Sequence, residues 1–121
     1  MTVTREEFLK PRPLKVKECE IAEIGVVRIK QLSKAELCDF QKWLRPKGEL
    51  NADRFAKRDL MLICKSVVDN DERPLFTVDD IEKLAELPGQ PIDDLAYQVM
   101  VFNGYMEAVE VDDDLLGKSD S

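Results

Sequence analysis

Histidine does not occur in this 121-residue chain. Its absence removes the commonest general base, the Ser–His and Cys–His nucleophile pairs and every His-ligated metal site. The cysteines, Cys19, Cys38 and Cys64, are 19 and 26 residues apart and form no CxxC pair, so a structural zinc site is not expected either. Such spacing is typical of small buried thiols in a reducing compartment. Catalysis by carboxylates or lysine stays open, but we expect a non-enzymatic protein that holds no metal and no cofactor.

Long apolar runs are also missing from the sequence. No stretch approaches the roughly 20 residues that a membrane-spanning helix needs. The N-terminal residues, Met1-Thr2-Val3-Thr4-Arg5-Glu6-Glu7, lack the apolar segment of a signal peptide. We therefore expect a cytosolic protein without membrane contact.

Charge is present in quantity but is unevenly distributed along the chain. The formal net charge is −7, yet residues 1–60 contain 14 basic and 10 acidic residues, whereas residues 61–121 contain 4 and 15. Asymmetry of this kind is typical of an interaction protein or of an acidic tail. The acidic balance argues against nucleic-acid binding, which requires cations to displace counterions from phosphates.

The N-terminal third of the sequence predicts a short helical turn followed by a β-hairpin. Thr4 and Glu7 have the spacing of a capping box, and prolines follow at positions 11 and 13. Residues 14–32 alternate between apolar and charged side chains around a turn at Ala22–Gly25, which is typical of a hairpin with one buried face. The alternation changes parity at Glu18–Ile21, and we expect a β-bulge there.

The remainder of the chain is predicted to be helical. Ser33 and Glu36 form a capping box before an apolar stripe, Asn51 can cap a helix over 52–68, Thr77 caps a third helix that begins at Val78, and a last helix begins near Pro91. The stripe of the first of these helices consists of Leu37, Phe40, Trp43 and Leu44. The expected fold is therefore α+β and mostly helical, with a small N-terminal β-hairpin packed on about four α-helices.

The last helix is the most informative segment. Nine of the twelve residues from Leu95 to Met106 are apolar or aromatic, more than one buried stripe requires. Either this helix is central in the domain, or one side of it binds a partner, because Met and Tyr are enriched at interfaces. Residues 107–121 are acidic with few apolar side chains, and we expect them to form a disordered tail after a single domain at 1–106.

Arg54, Lys57 and Arg58 share one side of the predicted helix over 52–68. They indicate either a site for an anion or acidic partner, or simply a solvated face. In the second case, the i,i+4 pair of Asp53 and Lys57 reduces the repulsion between the positive charges. We favour the solvated face, since charge clusters on helices usually face solvent.

Several short phrases occur in a characteristic order along the chain: Phe8-Leu9, Pro13-Leu14-Lys15-Val16, Val27-Arg28-Ile29, Leu32-Ser33-Lys34-Ala35-Glu36, Pro74-Leu75-Phe76-Thr77, Leu87-Pro88 and Asn103-Gly104. Together with the order of the predicted elements, they resemble the tail assembly chaperones of long-tailed bacteriophages and prophages over residues 4–106.

This resemblance implies a non-enzymatic chaperone that binds the tape measure protein and recruits the major tail tube protein during tail morphogenesis. It further implies self-association, a location in the host bacterial cytoplasm and absence from the mature virion. A helix-in-groove contact through an adaptable apolar face would suit a long apolar partner. The residues that we expect to form this face are Trp43, Tyr97, Met100, Val101 and Tyr105.

Two alternative functions fit parts of the sequence. The chain could be a structural tail or connector subunit of the virion. It could also be an acidic inhibitor that mimics DNA, because the second half is strongly negative. Mimicry requires carboxylates spread over a folded surface, however, and many of these lie at predicted helix starts or in the tail, where local stability and solubility explain them.

Overall fold

The computed structural model describes residues 2–105, and its elements confirm the α+β class. Helical residues outnumber strand residues within this range. The elements, in chain order, are α1 (Arg5–Leu9), β1 (Val16–Ile21), β2 (Gly25–Lys30), α2 (Lys34–Leu44), α3 (Ala52–Ala56), α4 (Arg58–Ser66), β3 (Val67–Val68), a 3₁₀ turn (Val78–Asp80), α5 (Ile81–Ala85) and α6 (Gly89–Phe102). The tail predicted over 107–121 lies outside the described residues.

The predicted hairpin is formed by β1 and β2, but the predicted bulge is wrong. The strands pair without interruption from Val16 opposite Lys30 to Ile21 opposite Gly25. Cys19 and Ile21 are buried, whereas Val16, on the opposite face, is only half-buried. The parity therefore changes because the two ends of the strand present apolar residues to different faces, and no extra residue restores the alternation. Gly25 has φ of +116°, which explains a glycine at the end of this turn.

A single helix over 52–68 is also wrong, because the chain breaks twice there. Lys57 leaves the helical conformation between α3 and α4, and Phe55 just before it is 42% exposed. At the other end, the Ser66 hydroxyl donates a hydrogen bond of 2.7 Å to the carbonyl of Lys30. The chain then continues as β3, which pairs antiparallel with β2. Two consecutive valines favour this extended conformation.

The core lies between the hairpin and helices α4 and α6. α4 packs on α2, α5 and α6, and α6 also contacts both strands of the hairpin. Ile29, Ile63, Val67 and Val99 contribute one fully buried side chain each from β2, α4, β3 and α6. Ile81 and Leu84 of α5 are buried, whereas Ala85 is exposed.

Candidate functional site

One side of helix α6 is buried in the core of the domain. It begins at Gly89, slightly before the predicted start, and Pro91, Ile92, Leu95, Ala96 and Val99 are buried. Positions 92, 95, 96 and 99 follow the helical repeat and form one continuous stripe. This stripe packs on α4 and on the hairpin. Central burial therefore accounts for three of the nine apolar residues counted in this segment, Leu95, Ala96 and Val99.

The remaining apolar side chains of α6 are only partly covered. Tyr97, Met100 and Val101 are half-buried, and they are neighbours on the helix surface because they lie three and four residues apart. Met100 and Phe102 also pack against the edge of the core. Tyr105, just beyond the helix, is 43% exposed. We refer to Tyr97, Met100, Val101 and Tyr105 as the α6 face.

The end of α6 holds Tyr105 beside the helix. The backbone N–H of Gly104 donates to the carbonyl of Val101 at 3.0 Å, and that of Tyr105 donates to the carbonyl of Met100 at 2.9 Å. These two bonds form a Schellman motif, which requires a left-handed residue at Gly104, where φ is +78°. Gly104 thus turns the chain so that the backbone of Tyr105 lies beside that of Met100.

Asn103 anchors the same end of α6 to the rest of the domain. Its Oδ1 accepts a hydrogen bond of 2.7 Å from the backbone N–H of Leu32, between β2 and α2. Its Nδ2 donates to the carbonyl of Val99 at 2.9 Å. One side chain therefore fixes the end of α6 relative to the hairpin and keeps the α6 face in a defined position.

The α6 face contains no charged side chain, and a cation borders it. Lys17 on β1 donates through Nζ to Oε1 of Gln98 at 3.4 Å and lies 5.9 Å from the ring centre of Phe102. Burial raises the pKa of Tyr105, and the nearby thiol of Cys38 on α2 raises it further. Tyr105 is therefore neutral at pH 7, and the face presents an apolar surface with hydroxyl groups.

Trp43 lies apart from the Tyr105 end of this face. Its ring stacks on Phe40 with centroids 6.3 Å apart, and the guanidinium of Arg54 lies 5.4 Å from its centre. Trp43 follows Cys38 by five residues, which corresponds to a rotation of about 140° around α2. Cys38 is near enough to Tyr105 to affect its pKa, whereas Trp43 contacts Arg54 of α3 and lies on a different side of α2.

The three basic residues that indicated an anion site are engaged within the chain. Arg54 donates to the backbone carbonyl of Trp43 at 2.8 Å. Lys57 lies 2.7 Å from a carboxylate oxygen of Glu82, a hydrogen bond that raises the pKa of the lysine. The guanidinium of Arg58 stacks 4.1 Å from the ring centre of Phe55. These contacts favour the interpretation as a solvated, internally paired face.

The cysteines differ in their exposure. Cys19 and Cys64 are buried, and burial raises the pKa of both thiols, that of Cys64 to about 11. Cys38 is exposed, so its expected burial is wrong. Within residues 2–105, no group of three or more Cys, Asp or Glu side chains is arranged to hold a metal ion. Over the same range, no helix is long and apolar enough to cross a membrane.

A second apolar surface was not indicated by periodicity. Ile24, Leu75 and Leu87 are each about half exposed, at 49%, 53% and 50%, and line one cavity of about 210 Å³. They lie in turns and connections, where neither the helical nor the strand repeat applies. The sequence feature that could have indicated this surface is the position of the three residues beside Gly25, Pro74 and Pro88. Apolar residues are uncommon at such turns.

Comparison with known proteins gives a match among solved structures. No protein-family model matches the sequence, and no curated protein matches it. The fold is similar to a solved structure, the tail assembly chaperone of bacteriophage HK97, with a TM-score of 0.55 and 23% sequence identity. The similarity covers 74% of this chain and 85% of the HK97 protein. The chain thus resembles a phage tail assembly chaperone, as its sequence predicted, and it shares that protein's fold.

Proposed function

We propose that this protein is a non-enzymatic tail assembly chaperone of a long-tailed bacteriophage or prophage. The observation that carries this proposal is the fold shared with the HK97 tail assembly chaperone over 74% of the chain. The order of the short sequence segments that carry the resemblance independently supports the same function. The protein acts in the cytoplasm of the host bacterium and is absent from the mature virion.

The partner of the α6 face is a helical segment of the tape measure protein. A tape measure protein is long and rich in apolar helix, and its surface must be covered until tube subunits polymerise around it. Tyr97, Met100 and Val101 offer adaptable, partly exposed apolar side chains on one surface, and Tyr105 extends that surface past the helix end. A partner helix that packs here would remove the remaining exposed area of these side chains from water.

The Lys17 side chain at the border of the α6 face favours an acidic residue on the partner helix. A carboxylate on the partner helix that approached Lys17 would gain a charge-assisted hydrogen bond at the rim of an otherwise apolar interface. Recruitment of the major tail tube protein follows as a second step, in which tube subunits bind the complex of chaperone and tape measure protein before they polymerise. Trp43 is a separate proposed contact, since it lies on another side of α2.

Co-expression and affinity capture with the tape measure protein test this proposal. The tagged wild-type chain should capture it, and V101K or Y105K should lower the captured amount at least tenfold, because each places a cation in the apolar interface. L50K is the matched control, since Leu50 is 47% exposed, lies between α2 and α3, and undergoes the same change of charge. Equal capture by wild type, V101K and Y105K, all folded by circular dichroism, would contradict the proposed face.

A structural virion subunit is the main competing function. Mass spectrometry of purified particles separates the two: a chaperone is absent from the particles, whereas a tail or connector subunit is present in stoichiometric amounts. A second assay follows tube recruitment, in which the captured tape measure complex should retain the major tail tube protein. Loss of the tube protein from a complex that still contains both other proteins would contradict the recruiting role.

A further inference from the structure

The part of the chain that the structure describes ends on the α6 face itself. Tyr105, its last residue, is held beside the backbone of Met100 by the Schellman motif and is 43% exposed. Met100 and Val101 are half-buried on the adjoining helix surface. Residues 107–121, which we call the acidic tail, therefore begin at the edge of an apolar surface that the domain covers only in part.

The acidic tail combines apolar side chains with a strong negative charge. Its six acidic residues and one basic residue, Lys118, give a net charge of −5. Three consecutive aspartates, Asp112–Asp114, stand directly before two leucines, Leu115 and Leu116. Such a segment is complementary to an apolar surface that has cations at its border.

Helix α2 presents cations next to the point where the acidic tail begins. Lys34, Cys38 and Lys42 are all exposed, and because they are four residues apart they share one side of α2, which we call the basic surface of α2. The hydrogen bond of 2.7 Å from Leu32 to Asn103 fixes the start of α2 against the end of α6. Since Lys34 follows Leu32 by two residues, the basic surface starts close to the end of α6.

These cations are available to a negatively charged segment. Within residues 2–105, neither lysine of the basic surface forms an ion pair, and Glu36 of the same helix is engaged by Lys30 at 2.9 Å. Asp39 lies about 100° around α2 from the basic surface. Lys17 of β1, at the border of the α6 face, donates to the neutral amide of Gln98. Charge therefore attracts the acidic tail to this end of the domain.

The acidic tail is also long enough to reach back over the α6 face. Leu115 follows Tyr105 by 10 residues, and such a segment can span up to about 33 Å. The helical part of the α6 face, from Tyr97 to the helix end at Phe102, extends only about 8 Å along the axis. A short tether of this kind gives an effective concentration of about 1 mM, so even a contact with a Kd of about 1 mM would be formed half of the time.

We propose that the acidic tail binds back on its own molecule, with its two leucines packed on the α6 face and its three consecutive aspartates paired with the basic surface of α2. The inference rests on the proposed function in one respect, because the tail covers the surface that we assign to the tape measure protein. The tail is therefore an internal competitor, which must leave the α6 face before that partner binds. It shields the apolar face until a ligand of higher affinity arrives.

The rate at which iodoacetamide alkylates Cys38 tests this contact in the full chain. Cys38 is exposed on the basic surface of α2, the other two thiols are buried, and the reagent is uncharged. A tail bound for about two-thirds of the time would slow the reaction about threefold, so L115S/L116S should react about three times faster than wild type. L50S, which changes an exposed leucine elsewhere, is the matched control and should react like wild type. Equal rates for L115S/L116S and wild type would overturn the proposal.

Two further variants test the charges and the α6 face separately. D112N/D113N/D114N should also react about three times faster than wild type, whereas D71N/E72Q/E86Q, which removes three exposed carboxylates elsewhere, should not. V101D places a carboxylate on the α6 face and should release the acidic tail, so its Cys38 should react faster. A nearby negative charge by itself raises the pKa of a thiol and slows its alkylation, so this increase would report release of the tail. The wild-type rate in D112N/D113N/D114N, or in folded V101D, would overturn the proposal.

The alkylation rates also keep this inference separate from the proposed function. They require no tape measure protein, so they decide whether the tail contact exists even if the chain binds no such partner. Rate differences that disappear on dilution would mean that the tail of another copy covers the face, and would overturn the proposal. Where the tape measure protein is captured, L115S/L116S should bind it about three times more tightly than wild type. Equal affinity together with faster alkylation would overturn the competition.

Discussion

Replacement of Asn103 by alanine should destabilise the domain measurably. The substitution leaves the N–H of Leu32, a residue only 7% exposed, without its acceptor at 2.7 Å. The Val99 carbonyl loses less, because it still accepts from the backbone N–H of Asn103 at 3.1 Å. An unsatisfied buried donor costs about 1–3 kcal/mol, so we expect about 2 kcal/mol and a Tm lower by about 10 °C.

Urea unfolding followed by circular dichroism measures this change, and N70A is the matched control. Asn70 is exposed in the turn after β3, so the same substitution there should stay within about 0.5 kcal/mol of wild type. If N103A were as stable as N70A, the hydrogen bond to Leu32 would contribute nothing. The inference that Asn103 fixes the end of α6, and with it the position of the α6 face, would then be refuted.

Three further predictions concern the core, a salt bridge and the thiols. I63A, at a fully buried position, should cost about 4 kcal/mol in urea unfolding, whereas a cost under about 1 kcal/mol would refute the packing. Burial raises the pKa of Glu36, but hydrogen bonds from Ser33 and the contact with Lys30 outweigh it and lower the pKa overall. E36Q should therefore be less stable than wild type at pH 7 and equally stable once the pH falls below that pKa. A stability difference between E36Q and wild type that does not change with pH would contradict this prediction. A thiol reagent at pH 8 should modify Cys38 alone in the native chain and all three cysteines in denaturant, and rapid native modification of Cys64 would contradict its burial and its pKa of about 11.

Much of the fold follows from interactions between near neighbours in the sequence. The capping boxes at Thr4 and Ser33 both form, because each requires residues only three positions apart. The hairpin turn at Gly25 and the end of α6 at Gly104 are likewise local, since both need a positive φ that glycine adopts without strain. Such features can be read from sequence without knowledge of the tertiary structure.

The errors occur where distant residues decide the conformation. Periodicity extends the helix to residue 68, but the hydrogen bond between Ser66 and Lys30, 36 residues apart, accompanies the change to β3. Periodicity likewise does not indicate the break at Lys57 between α3 and α4, beside which Phe55 is 42% exposed. No pattern within a short window contains this information.

In the candidate site, too, local features can be predicted from the sequence, whereas features set by distant residues cannot. The excess of apolar residues in α6 can be counted in the sequence, but which side is buried depends on where α4 and the hairpin pack. Trp43 belongs to the predicted stripe of α2, yet its angular separation from Cys38 places it away from Tyr105. The second apolar surface depends entirely on tertiary structure, because Ile24, Leu75 and Leu87 come from three separate connections.

Hydrogen exchange of the chain with and without bound tape measure protein tests the central claim most directly. Bound partner should slow amide exchange across residues 97–105, where the α6 face and the Schellman motif lie, and leave residues 51–58 around α3 unchanged. Protection of this kind would locate the tape measure protein on the α6 face. A complex that forms while exchange at residues 97–105 stays the same as in the free chain would contradict the account.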